Sequence, residues 1–138
     1  MNLLTLTPEH QSRFTSWLAE DVWLVACLCA RWCDLCEAYR ATFTALAARH
    51  PDKHFVWIDI EDQAELVGEM DVETFPTLLI QRAELVAFFG PVLPDLRVAD
   101  RVIGALAGQS REGLQADILA SPQKRAWQTE NNLRVTPR

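Results

Sequence analysis

Residues Val22 to Ala30 read Val-Trp-Leu-Val-Ala-Cys-Leu-Cys-Ala, a near-continuous apolar run, and the chain then passes into Trp32-Cys33-Asp34-Leu35-Cys36. A run of this length without polar alternation suits a strand buried on both faces of a sheet. Such a strand needs helices packed on both sides. The stretch from Cys33 to about His50 supplies one, with Leu35, Tyr39, Phe43 and Leu46 marking a periodic face and Pro51-Asp52 closing it. A buried strand that runs straight into a Cys-x-x-Cys at the head of a helix is therefore the central unit of the chain.

The flanking sequence extends this unit. Leu3 to Leu6 reads as a short first strand, and Thr7-Pro8 as the start of a helix over 8–20 that buries Phe14, Trp17 and Leu18. His54 to Ile60 is a further strand, Gln63 to Met70 a short helix, and Thr77 to Gln81 a strand. Arg82-Ala83 is a tight turn into an antiparallel partner, Glu84 to Phe89, which Gly90-Pro91 interrupts. A last helix runs from about Leu93 to Ala107. The order predicts an α/β domain over 1–108, with a central mixed sheet of four to five strands flanked by helices on both faces. Residues 109–138 form a C-terminal extension, partly helical or disordered: Ile118 and Leu119 can anchor one short helix, and after Pro122 only Trp127 is large and apolar. Trp17, Trp23 and Trp57 are expected in the core or at its edge. His10, His50 and His54, at element ends, are expected at the surface.

The 138 residues carry a net charge of −6. It is uneven: 8 Lys/Arg against 16 Asp/Glu over 1–108, then 5 against 3 over 109–138. An acidic body argues against nucleic acid as a partner, and no apolar run approaches the roughly 20 residues of a membrane span. Met1 to Thr7 lacks a basic segment and a long apolar segment, so the expected location is the cytoplasm. Asp59, Glu61, Asp62, Glu65, Glu69, Asp71 and Glu73 form an acidic run, read as a solvated face or as a surface that steers a basic partner.

All four cysteines, Cys27, Cys29, Cys33 and Cys36, lie within ten residues. A structural disulfide framework would spread them to close loops, so the cluster signals local redox or metal chemistry. At a helix start, free backbone N–H groups and the helix dipole favour negative charge, and so a Cys33 thiolate. Cys36 lies one turn later on the inner side, close enough to bond to it. Cys33 would attack a target disulfide, and Cys36 would then attack Cys33 and release the reduced target. Cys27 and Cys29 share one face of the strand and read as small buried hydrophobes or as a regulatory thiol. The Cys-x-Cys-x3-Cys-x2-Cys run leaves zinc or an iron–sulfur cluster as an alternative, though a strand interior and a helix start rarely converge four sulfurs tetrahedrally.

Val25 to Cys36, Val56-Trp-Ile-Asp-Ile-Glu61 and Thr74-Phe-Pro-Thr77 together resemble the thioredoxin family, in order and with the expected gaps, over residues 1–108. The resemblance implies a thioredoxin fold, no cofactor, no metal, and a disulfide reductase working through Cys33 and Cys36. Its partners would be protein disulfides and a reductase or dithiol electron donor. It further implies a cis bond between Phe75 and Pro76 facing the dithiol, and a substrate groove built from Trp32, Phe75, Pro76 and Gly90 along which an extended peptide pairs. The departures bear on tuning. Ordinary members carry Gly-Pro between the cysteines, whereas this chain has Asp34-Leu35, and the Asp34 charge opposes thiolate formation. Cys27 and Trp57 stand where the family keeps a buried Asp and a Lys for proton transfer. The implied dithiol is more reducing, or slower to attack, than the Gly-Pro form. A thioredoxin-fold binding module with little turnover is the alternative, because function is carried by the site rather than the fold.

Overall fold

The computed structural model describes residues 2–67, 70, 72 and 76–134. Five strands, β1 (Leu3–Thr5), β2 (Trp23–Cys29), β3 (His54–Asp59), β4 (Thr77–Arg82) and β5 (Leu85–Pro91), form one sheet of order β1-β3-β2-β4-β5. The β1–β3 and β3–β2 pairs are parallel; β2–β4 and β4–β5 are antiparallel. The helices are α1 (Gln11–Ala19), α2 (Asp34–Arg49), α3 (Ala64–Val67), α4 (Leu96–Ala107), α5 (Arg111–Ala120) and α6 (Pro122–Glu130).

The central strand β2 sets the layers. By the two-residue period, Leu24, Ala26 and Leu28 enter one core with Phe14, Trp17, Leu18 and Trp127. Val25, Cys27 and Cys29 enter the other, with Tyr39, Phe43 and Leu46 of α2 and Ala99 and Ile103 of α4. The mixed sheet covered on both faces is the fold expected from the sequence.

Several elements differ in extent from the expectation. The first helix opens as a 3-10 turn, Pro8–His10. The β4–β5 turn is centred on Ala83, at φ 52°, and β5 continues through Gly90 and Pro91. Pro91 is accepted because β5 is an edge strand, where a missing N–H removes no central ladder bond. Helix α4 starts at Leu96, capped by Asp95, whose carboxylate accepts from the Arg97 amide at 2.9 Å. In the acidic run, the described helix is confined to Ala64–Val67. Asp59 accepts from the amides of Glu61 and Asp62, and Arg31 pairs with Asp59 and Asp62, so part of that charge is neutralised within the chain. Glu69, Asp71 and Glu73 lie outside the described residues.

The extension, expected to be partly helical or disordered, is helical over most of its described length. It forms two helices, each begun by a serine: Ser110 accepts from the Gly113 amide and Ser121 from the Lys124 amide, with Pro122 at the first position of α6. Trp127 meets Phe88 of β5 edge-on at 6.0 Å. Gln128 accepts from the Val86 amide and donates to its carbonyl, at 2.9 and 2.8 Å. The Gln81 amide nitrogen donates to Asn132 Oδ1, and its Oε1 accepts from the Leu133 amide. Gln128 therefore occupies both backbone groups of Val86 on the edge strand, and Asn132 and Leu133 tie the extension to Gln81 of β4.

Two outcomes follow. Trp127→Ala removes a buried indole and should lower stability by about 3 kcal/mol, read as a reduced urea midpoint. His54 stacks on Trp17 at 4.3 Å, and its Nδ1 is buried without a hydrogen-bond partner among the described residues. Burial holds its pKa below the ordinary value, with Glu20 opposing. The unfolded chain then binds the proton more readily. The stability held by neutral His54 is full above about pH 6.5 and is lost as pH falls through the lower folded value. Urea midpoints at pH 8 and pH 5 should differ less in His54→Phe than in the parent.

Candidate functional site

Strand β2 ends at Cys29, and a tight turn follows in which the Cys33 amide donates to the Ala30 carbonyl at 3.1 Å. Cys33 becomes the N-cap of α2, its carbonyl accepting from the amides of Cys36 and Glu37. The Cys33 side chain is half-buried at the head of the helix, between Trp32 and Leu35, which are 66% and 58% exposed. Cys36 faces inward and is buried. Asp34 is exposed in the first turn, with Glu37 behind it. Both carboxylates interact favourably with the positive end of the helix.

Helix α2 covers the face of β2 to which Val25, Cys27 and Cys29 point. Its inward first-turn residue therefore lands on the end of the strand. Cys36 is disulfide-bonded to Cys29, with a Cα–Cα distance of 5.7 Å, and Cys33 is a free thiol. The sequence pairs Cys36 with Cys33 and reads Cys29 as a small buried hydrophobe or a regulatory thiol; the structure bonds Cys36 to Cys29 instead. The signal lay in the alternation: Cys29 shares the helix-facing side with Cys27, and that is the side to which Cys36 turns.

Cys27 lies behind this bond. It is fully buried, its sulfur 3.7 Å from that of Cys29, and with Cys29 in a disulfide only Cys27 has an S–H to donate. Burial pushes the Cys27 thiol well up, with Arg40 partly offsetting it. Cys27 is then a neutral donor at ordinary pH and cannot serve as a base. Cys27 and Trp57 are register partners on adjacent strands, and the Arg40 guanidinium lies 4.6 Å over the Trp57 ring. Tyr39, one turn beyond Cys36, has its phenol pushed up by burial first and by Cys27 second, and its hydroxyl has no hydrogen-bond partner among the described residues. The Cys27 thiol and the Tyr39 phenol near the Cys29–Cys36 bond are thus neutral, and the buried carboxylate of Asp59, in register with Cys29 on the adjacent strand, is paired with Arg31.

Of the groove residues, Phe75 lies outside the described residues. Pro76 is buried, and its carbonyl accepts from the Val92 amide. Thr77 is in register with Leu28 and Pro91, and Leu78 with Cys27 and Gly90. Pro76 and Gly90 therefore share the end of the sheet at which β2 runs into α2. Among the described residues, no group of three or more His, Cys, Asp or Glu side chains is disposed to hold a metal ion. Nor, among them, is any helix long and apolar enough to cross a membrane.

The thioredoxin family model matches residues 5–89, more than half of the chain. A Streptomyces coelicolor protein provisionally named thioredoxin 2 is 30% identical over 100 residues, 72% of each chain. The H-type thioredoxin of Brassica campestris is 28% identical over 68% of this chain and 63% of its own length. Among the curated relatives compared, the chain spans as little as 39% of the relative's length, and 46% of an Arabidopsis thaliana protein provisionally named thioredoxin H10. The crystal structure of thioredoxin from Trypanosoma brucei brucei superposes with a TM-score of 0.64 at 20% identity, over 78% of this chain and 92% of that one. That of a poplar thioredoxin h gives 0.65 at 20% identity, over 80% and 100%. The fold, the strand–Cys-x-x-Cys–helix unit and the family match agree: the chain belongs to the thioredoxin family.

Proposed function

We propose that this chain is a thiol–disulfide oxidoreductase that reduces protein disulfides, with Cys33 as the attacking sulfur and Cys36 as the resolving one. The carrying observation is the placement of two sulfurs one helical turn apart, one reachable at the N-cap of α2 and one buried beneath it. The Cys33 thiolate attacks one sulfur of the target disulfide, and the other leaves as a thiolate that takes up a proton. Cys36, deprotonated, then attacks the Cys33 sulfur, and the second target thiolate leaves. The two cysteines are oxidised and the target is reduced. A dithiol or a reductase restores the pair. Exposed Trp32 and the shared sheet end carrying Pro76 and Gly90 support a groove for an extended peptide around the target cysteine. A reducing compartment such as the cytosol suits this direction of flow.

With dithiothreitol as electron source and an insulin-like disulfide as target, Cys33→Ser should reduce turnover to background. With dithiothreitol removed beforehand, reduced Cys36→Ser should accumulate a Cys33–target mixed disulfide, seen as an adduct by mass spectrometry. Wild-type turnover by Cys33→Ser would refute the assignment. Asp34→Gly removes a like charge beside the nucleophile and should speed iodoacetamide alkylation of reduced Cys33 at neutral pH by about two- to threefold. An equal or slower rate would show that the Asp34 carboxylate does not restrain the thiolate.

A further inference from the structure

We propose that Cys29 is a second bonding partner for Cys36, so that a disulfide made at the surface with Cys33 moves inward and returns Cys33 to the thiol state. The inference rests on the oxidoreductase reading above and adds a third sulfur to it. Three observations converge. Cys29 and Cys36 are bonded across the strand–helix junction while Cys33 is free. Cys33 and Cys36 lie in the same first turn of α2, so Cys36 lies between a half-buried sulfur and a buried one. Cys27, with its sulfur 3.7 Å from Cys29, offers an S–H that can stabilise negative charge on the Cys29 sulfur as it enters or leaves the bond.

The step balances without an outside oxidant. The Cys29 thiolate attacks the Cys36 sulfur of the Cys33–Cys36 disulfide. The Cys29–Cys36 bond forms, the Cys33–Cys36 bond breaks, and Cys33 leaves as a thiolate. The proton lost from Cys29 is matched by the one gained at Cys33 when that thiolate is protonated. The number of disulfides does not change; only their position does. The chain in this state is oxidised and still presents a thiol between Trp32 and Leu35, able to capture one further disulfide substrate. That captured adduct cannot be resolved by Cys36 until the inner bond is reduced.

The test is a disulfide map of the full chain. The reduced protein is oxidised with a cyclic dithiol disulfide, quenched in acid, alkylated in denaturant and digested with trypsin. Cleavage after Arg13, Arg31 and Arg40 separates Phe14–Arg31, with Cys27 and Cys29, from Trp32–Arg40, with Cys33 and Cys36. An inward bond links the two peptides and leaves Cys33 alkylated; an outer bond stays within the second peptide and leaves Cys29 alkylated. The expected result is the linked pair, with a loss of Cys33 alkylation in oxidised Cys29→Ser and slower formation of the linked pair in Cys33→Ser, where no outer bond can precede it. Only the outer bond in the parent, at every oxidation time, would overturn the proposal while leaving the oxidoreductase reading intact. No bond of either kind, together with no turnover of an insulin-like disulfide, would overturn both.

Discussion

Strand β2 is buried on both faces, and that constraint organises the rest of the molecule. A strand in this position cannot leave a face to water, so each of its seven residues belongs to one of two cores. Even-numbered positions from Leu24 to Leu28 fix where α1 and Trp127 pack, and odd-numbered positions from Val25 to Cys29 fix where α2 and α4 pack. The placement of the chemistry follows. Because α2 must cover the odd face, its first inward side chain meets the last odd residue of the strand. Cys36 and Cys29 are brought together by the same packing that builds the core.

The head of α2 is where the fold and the reaction compete for one resource. The unpaired amides there can stabilise a thiolate on Cys33, but Asp34 and Glu37 also lie in that first turn. In this chain the positive helix end is shared between two carboxylates and a sulfur. Behind it, burial keeps Cys27 neutral, and Arg40 is stacked on Trp57 and hydrogen-bonded to Thr5. The site therefore relies on position more than on a strongly charged interior.

The strand–Cys-x-x-Cys–helix unit and the mixed sheet were legible because their signals are periodic and local: the apolar run of β2, the Tyr39–Phe43–Leu46 stripe of α2, the hairpin of β4 and β5. The extension was not, because its composition after Pro122 reads as solvent-facing. Gln128, Asn131 and Asn132 instead pair with backbone and side chains of the domain or are buried against it, a role that depends on which strand edge lies opposite. His54 was misplaced for a related reason. Its position at the end of a strand says nothing of Trp17, which covers its ring. The site was legible as a cluster of sulfurs but not as a set of bonds. The alternation puts Cys27 and Cys29 on one face; only the packing of α2 over that face says which cysteine they meet.

Why a strand cysteine should compete with a neighbour three residues away can be argued from solvation. In an open chain, loop closure barely separates the alternatives. Cys29 and Cys36 are separated by 7 residues, and each doubling of a loop costs only about 0.6 kcal/mol. In the folded chain both loops are already closed, so that small difference disappears, and the choice turns on which sulfur is left free. A disulfide carries no charge and loses little when buried, whereas a thiolate loses much. Leaving Cys33 free puts the ionisable sulfur at a helix N-terminus with access to water. Leaving Cys29 free would put it in the apolar core, with the Cys27 S–H as a weak donor beside it. Exchange between the two bonds therefore favours the inner one whenever the free sulfur is to be ionised. The surface thiol and the inner bond are then two consequences of the same burial.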